Sequence, residues 1–371
     1  MDLQELRNEI DKVDSEILNL FIKRMDLCEQ VAQYKIDNAL PVFQGNREQD
    51  IIDSIKKNVP ENLANGAVAL FYNIMDISKC IQQEKLLKDN TFMKALPLDL
   101  SKPRKIGCQG TYGSNSEMAA KMLFDESKIN FYHEFEDVFK AVENGEIDFG
   151  ILPIQNSTTG SVAQTYDLMK KYNFYIVKVA RLEISHCLAA KKGTIISDIK
   201  AVYSHPQALW QCSAYLSKNN LNAITYENTA TAAKFVSESN EPIAAICSKR
   251  CAELYGFDII SEDISDSYPN YTRFICISRD FHMDEDAKSI SMLITLPNTQ
   301  GSLIRLLTKF FVNGLSLEKI ESRPLAGGSF NVMFYLDFEG NINDKKVSAL
   351  LSELKNEFES FKFLGNYSEI M

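Results

Sequence analysis

Histidine is scarce in this chain, four among 371 residues, and none stands near Cys247 and Cys251, the two cysteines that could share a helix face. Paired metal-ligand spacing is therefore missing. The eight cysteines are scattered without a framework and read as free thiols in a reducing cytoplasm. A basic surplus is missing too: 40 Lys and Arg face 50 Asp and Glu, a net charge of -10, which argues against nucleic acid or an anionic membrane as main partner. No apolar run approaches a membrane span, and the charged, amphipathic N-terminus lacks the apolar core of a signal peptide, so a cytoplasmic location is expected. Repeats and low-complexity segments are absent as well. What remains is a chain of ordinary globular composition, 45% hydrophobic and 24% charged, long enough for two or three domains.

Residues 1–90 read as helix. Leu3, Leu6, Ile10, Val13, Ile17 and Leu20 recur at alternating intervals of three and four, and the pattern resumes at Leu27, Val31 and Tyr34. The position it skips is Arg24. The spacing predicts a first helix from Leu3 to about Lys35, a second from about Arg47 to Lys57, and a third from about Leu63 to Leu87. One long helix with two shorter partners cannot bury its own seam, and a dimer is the simplest remedy. Burying an unpaired guanidinium costs several kcal/mol, so something anionic is expected to meet Arg24. Lys35 lies about 16 Å further along nearly the same stripe, while Arg7 lies roughly 25 Å the other way and about a quarter-turn off. Arg7 cannot easily serve that site within one chain but can reach the partner's in an antiparallel dimer. For Arg7 and Lys35 a solvated position with stems along the seam remains the alternative. Ser78 and Gln82 stand one turn apart on the third helix, and Arg47 and Glu48 open the second. Such a set suits a compact dicarboxylate carrying a hydroxyl.

Residues 91–103 hold two prolines and no sustained period, as a linker does. From Arg104 to about residue 280, short apolar runs alternate with amphipathic helical stretches, the signature of an α/β domain with largely parallel strands. Ligands in such folds sit where strands end and helices begin. Four turns stand out there. GCQGTYGSNS (107–116) contains Thr111 and Tyr112. LPIQNSTTGSV (152–162) contains Asn156, Ser157 and Thr158. SHPQALWQC (204–212) contains Ser204, His205 and Gln207, and NYTRFICI (270–277) contains Thr272, Arg273 and Phe274. Each alone resembles an ordinary turn or N-cap. Together they suggest a two-lobed domain whose cleft binds a carboxylate without a metal, and none carries a phosphate loop or dinucleotide fingerprint. Residues 281–288 are polar and mostly acidic, a second linker. The tail, 289–371, reads strand, helix, strand, strand, helix, strand, an α+β order that fits a ferredoxin-like module. Its stretches GSLIRLL (301–307) and IESRP (320–324) suit either a dimerisation domain with a tight glycine turn or a binding site.

The helical stretch resembles the all-helical chorismate mutases, whose first helix carries Arg, Arg and Lys at the spacing of Arg7, Arg24 and Lys35. The match continues through Arg47, Glu48, Ser78 and Gln82. It implies that Arg24 and the partner's Arg7 clamp the substrate carboxylates, that Lys35 and Gln82 donate to the ether oxygen, and that Glu48 holds the ring hydroxyl. One departure is Gln44, where that family usually has an aspartate. The middle domain resembles prephenate dehydratase through Thr272-Arg273-Phe274, Asn156-Ser157-Thr158 and Ser204 to Gln207, with departures at Gln155 and Gly113. Thr272 would then donate or relay a proton to the leaving hydroxyl, and Arg273 would meet either a carboxylate or a salt-bridge partner within the fold.

The tail resembles the regulatory amino-acid-binding (ACT) module of these dehydratases. The resemblance implies a phenylalanine site at a twinned interface, with Gly301, Ser302, Leu303, Ile304, Glu321, Ser322, Arg323 and Pro324 contributing. Together these likenesses imply a bifunctional enzyme that converts chorismate to prephenate and then to phenylpyruvate. It would be inhibited by phenylalanine, assembled as a homodimer or tetramer, and free of metal or organic cofactor. Two alternatives stay open: a dehydratase whose helical part only dimerises, and a non-enzymatic amino-acid sensor.

Overall fold

Asp2 and Glu5 each accept the other's backbone N–H, a capping box that starts the first helix at Leu3. In this computed structural model, residues 2–40, 45–86, 92–100, 104–124, 128–324 and 332–371 are described. They divide into two compact units, Met1–Lys94 with Lys288–Asn366, and Ala95–Ala287 with Tyr367–Met371.

The first unit opens with α1 (Leu3–Asp37), α2 (Gly45–Asn58) and α3 (Ala64–Leu86). Both α1 and α2 pack on α3. The face that α1 buries is not the seam read from its periodicity. Met25, Ala32 and Lys35 are its buried residues, whereas Leu20, Leu27 and Val31 stay exposed within one chain. At about 100° per residue, Arg24 falls on the border between the exposed stripe and the stripe facing α3. In the same unit, strand Ser289–Leu296, helix Ser302–Val312, strands Leu317–Pro324 and Val332–Glu339, helix Lys345–Glu357 and strand Phe361–Tyr367 follow in that order. Their sheet runs Leu317–Pro324, Val332–Glu339, Ser289–Leu296, Phe361–Tyr367, so Leu317–Pro324 is an edge strand. Both helices of this part pack against α3.

The second unit holds two sheets. One orders strands Glu369–Ile370, Tyr175–Glu183, Tyr271–Ser278, Phe149–Asn156, Ile106–Gln109 and Ile129–Tyr132, with Gly160–Ser161 at its side. The other orders Asp258–Ser261, Cys187–Ala190, Ala244–Cys247, Val202–Ser204 and Ala223–Thr225. The sheets are mixed, not largely parallel as the alternation suggested. Tyr271–Ser278 is antiparallel to both of its long neighbours because it carries the chain back from the second sheet beside Tyr175–Glu183, the strand on which it left. Two crossing strands make two lobes, and the cleft lies where they cross. The stretches read as linkers also meet here: Leu96–Pro97 pairs with His282–Met283 in a short parallel ladder.

Among the described residues no helix is long and apolar enough to cross a membrane, and no group of His, Cys, Asp and Glu could hold a metal ion.

Candidate active sites

The helical unit faces the cations of α1 against the polar side of α3. Nη1 of Arg24 donates to Ser78 Oγ at 2.5 Å and to the Ile74 carbonyl at 3.4 Å. One turn on, Lys35 Nζ donates to Gln82 Oε1 at 3.2 Å. Ser78, Gln82 and Lys35 are all buried. Among the described residues no carboxylate pairs with Arg24, whose contacts are the Ser78 hydroxyl, the Ile74 carbonyl and the Cys28 sulfur at 3.8 Å. A half-buried guanidinium with neutral partners keeps its attraction for an anion undiminished. Burial lowers the pKa of Lys35, while the nearby Cys28 and Glu48 act in the opposite direction. Glu48 is mostly buried and stands 3.3 Å from Lys79. Arg7 and Arg47 are exposed and do not join this group within one chain. Gln44 lies outside the described residues.

In the second unit the strand register sets Thr272 directly opposite Asn156. The amide of Asn156 is oriented by its own turn. Its Oδ1 accepts from the backbone N–H of Thr158 and Thr159, each at 3.0 Å, and from Thr159 Oγ1 at 3.1 Å. Only Nδ2 is left to face the neighbouring strand, and it donates to Thr272 Oγ1 at 2.9 Å and to Asn270 Oδ1 at 2.7 Å. The threonine oxygen is thereby occupied as an acceptor. Its own proton has no acceptor among the described residues, and Thr272 lines the cleft, so a ligand there can take it.

Other candidates separate into wall and framework. Phe274, His205 and Gln207 line the cleft. Gln207 Nε2 reaches Thr159 Oγ1 across it at 2.9 Å, and His205 caps its helix by accepting from the Gln207 backbone N–H. Ser204 is fully buried and donates to the Ile246 carbonyl, so it serves the sheet. Ser157 clasps the strands, its backbone N–H donating to the Tyr271 carbonyl and its Oγ accepting from Tyr271 N–H. Arg273 projects from the opposite face to Thr272 and pairs with Glu369 at 3.0 Å, the salt-bridge alternative of the two open at the sequence level. Tyr112 is exposed and lies edge-on to Phe131, and neither it nor Thr111 lines the cleft, whereas Gln109, Gly110 and Ser114 do. Gly113 has φ 82°, and a Cβ there would sit 3.0 Å from Cys251 Sγ, so a side chain at that turn would be strained and crowded.

Three wall or near-wall residues escaped the sequence reading. His186 and Gln211 are 4% and 5% exposed and line the cleft, and Asn270 is buried behind them. Gln211 Oε1 faces His186 Nε2 at 3.1 Å and accepts from Asn270 Nδ2 at 3.4 Å. The carbonyl fixes the tautomer, because His186 must donate from Nε2. His186 Nδ1 and Gln211 Nε2 are buried without a partner among the described residues. Burial lowers the pKa of His186, against the opposing effect of its bond to Gln211. The signal for Gln211 was available, since it lies one turn beyond Gln207 on the same helical face. His186 follows a strand in no local motif, and only the crossing of the lobes brings it here.

In the tail, Gly301 adopts φ 85° ahead of its helix, and Ser302 Oγ is 2.7 Å from Thr299 Oγ1. Leu303 and Ile304 are exposed. Glu321 pairs with Lys319 and Arg323 along the edge strand that ends at Ser322, Arg323 and Pro324.

A helical bundle that turns cations toward its polar interior and a polar cleft between two lobes define a chain with two separate small-molecule sites of mutase and dehydratase type. Residues 6–83 match the family model for chorismate mutase type II, and residues 106–282 match that for prephenate dehydratase. The bifunctional chorismate mutase/prephenate dehydratase of Enterobacter agglomerans is 31% identical over 98% of this chain and 95% of its own length. Arogenate dehydratase/prephenate dehydratase 2 of Arabidopsis thaliana is 33% identical over 87% of this chain and 88% of its own. The crystal structure of prephenate dehydratase from Arthrobacter aurescens in complex with L-Phe shares 29% identity at a TM-score of 0.66, across 71% of this chain and 89% of that one. The chain belongs to the family of bifunctional chorismate mutase/prephenate dehydratases.

Proposed function

We propose that the helical bundle rearranges chorismate to prephenate, that the two-lobed cleft converts prephenate to phenylpyruvate, and that L-phenylalanine inhibits the protein through the tail. The observation that carries the reading is the pairing of Asn156 with Thr272, which leaves a hydroxyl proton on offer in the cleft.

The first reaction is pericyclic and needs neither nucleophile nor proton transfer. A protein can only hold the dianion in its reactive shape and stabilise charge growing on the ether oxygen. Arg24 takes one carboxylate and Arg7 of a partner subunit the other, which an antiparallel dimer across the exposed apolar stripe of α1 supplies. Lys35 already donates to the carbonyl oxygen of Gln82, so the Gln82 amide NH2 turns outward as a second donor beside the ammonium. Glu48 accepts from the ring hydroxyl, and Ser78 keeps Arg24 in place beside it. In the second reaction the bond from ring to carboxylate breaks, its electrons enter the ring, carbon dioxide departs, and the ring hydroxyl leaves as water with a proton that Thr272 donates or relays. Asn156 orients Thr272, and Gln207 and Phe274 line the substrate, joined by the nitrogens of His186 and Gln211 that lack a partner among the described residues.

The domain boundaries follow as 1–90, 104–280 and 289–371, the last a ferredoxin-like module that pairs with its twin. Exposed Leu303 and Ile304 beside the Gly301 turn, with the edge strand ending at Pro324, suit an amino acid bound between copies. The phenylalanine complex of the Arthrobacter aurescens relative supports this. Supplied with prephenate, the purified protein is expected to make phenylpyruvate at a rate that L-phenylalanine lowers saturably. Phenylalanine binding with no phenylpyruvate formed would instead favour the sensor.

Lys35 adds a pH signature. Its pKa is lowered, so the ammonium is lost at a pH below the ordinary lysine range, about 10.4. Mutase kcat/KM is therefore expected to fall as pH rises toward that range, and Lys35→Arg should move the fall to higher pH. An identical alkaline limb in the two proteins would remove Lys35 from the reaction.

A further inference from the structure

Glu48 is held partly by the tail. Lys79 Nζ stands 3.3 Å from its Oε1, and Nη2 of Arg305, on helix Ser302–Val312, stands 3.4 Å from its Oε2. Arg305 is itself fixed. Its Nε and Nη2 donate to the two oxygens of Asp76, each at 3.0 Å, and its guanidinium lies 4.6 Å from the centre of the Tyr72 ring. Behind this pair Lys309 contacts Asp76, Glu353 and Glu357, while Lys79 contacts Asp76 at 2.8 Å and Glu357 at 3.4 Å. The side chains of Asp76 and Lys309 are wholly buried.

Charge pairs this deep cost desolvation and contribute little net stability, so their value lies in fixing geometry. A planar fork gripping a buried carboxylate at two points, with a ring on its face, leaves Arg305 almost no freedom. Glu48 is the most exposed carboxylate of the group, at 17%, and near enough to Lys35 to favour that ammonium. Alone on the first turns of α2, its flexible side chain would sample several rotamers. Bound to Lys79 and Arg305, it has one direction.

We propose that Arg305 is a positioning residue of the mutase reaction: clamped on Asp76, it aims Glu48 at the ring hydroxyl of chorismate, so the tail domain completes a site that it does not line. This rests on the reading of Glu48 as the partner of that hydroxyl. The tail then does more than bind a regulator, because chorismate affinity depends on a side chain four residues beyond the Gly301 turn.

The test is a double-mutant cycle in the full-length protein, with Glu48→Gln, Arg305→Met and both together, assayed on chorismate and on prephenate. Arg305→Met is expected to raise the mutase KM for chorismate about tenfold, with kcat changed less and dehydratase kinetics unaltered. Arg305→Lys should restore part of that loss, and the double variant should be no worse on chorismate than Glu48→Gln alone. Additive losses would overturn the proposal, as would an unchanged KM in Arg305→Met. A parallel fall of both activities with a lower Tm would also overturn it, by making Arg305 structural. If Arg305→Met does not fold, Arg305→Lys alone decides: wild-type mutase KM overturns the proposal, and a raised KM with intact dehydratase supports it. An unaffected Glu48→Gln protein would remove the reading of Glu48 itself, a separate failure from Glu48→Gln being impaired while Arg305→Met is normal.

Discussion

Arg24→Ala is expected to lower mutase kcat/KM by about 10²-fold or more while leaving prephenate turnover at its wild-type rate. The guanidinium sits where α1 meets α3, donates to Ser78 Oγ at 2.5 Å, and faces no carboxylate among the described residues. In the proposed reaction its removal takes away a charge-assisted contact to a substrate carboxylate that Lys35, assigned to the ether oxygen, does not replace. Arg24→Lys should recover only part of the loss, since an ammonium cannot form the planar two-point contact. Cost to the fold should be small, because the partners left behind are one hydroxyl, one carbonyl and one thiol sulfur, all neutral. Steady-state assays on chorismate and prephenate with one protein preparation check this. Equal loss of both activities would contradict two separate sites.

Thr272→Ala is expected to do the reverse, lowering dehydratase kcat by about 10²- to 10³-fold with mutase kinetics intact. The size follows from the hydrogen-bond order. Asn156 cannot turn its carbonyl toward Thr272, because Oδ1 already serves Thr158 and Thr159, so the threonine hydroxyl is held as a donor. Thr272→Ser keeps the hydroxyl and should retain most of the activity. Turnover by the alanine variant at the wild-type rate would remove Thr272 from its assigned role.

The helical bundle was legible because a three-and-four periodicity marks a helix, and Arg24 stood out as a cation in an apolar series, although that series stays exposed within one chain. Its direction was less legible. Met25 and Ala32 lie roughly 100–160° around the helix from Leu27 and Val31, and only packing on α3 decides that the first pair turns inward while the second does not. Asn156, Thr272 and Gln207 were readable as turn residues at strand ends, where ligands sit in such folds. Ser204 and Ser157 carry the same local signature yet serve the framework, since a hydroxyl beside a turn can face the sheet or the cleft. His186 was out of reach, as its neighbour Gln211 lies 25 residues away in sequence. Strand direction also lay beyond the pattern, because alternation of strands and helices does not record that the chain leaves one lobe and returns. The ionic group around Asp76 draws on α2, α3 and both tail helices, and no single stretch announces it.

A time course of purified protein mixed with chorismate alone tests the central claim most directly. Two sites in one chain predict that chorismate disappears, that prephenate rises and then declines, and that phenylpyruvate accumulates to match the chorismate consumed. Chorismate that persists while added prephenate is still converted would contradict it, leaving the helical bundle without a reaction of its own.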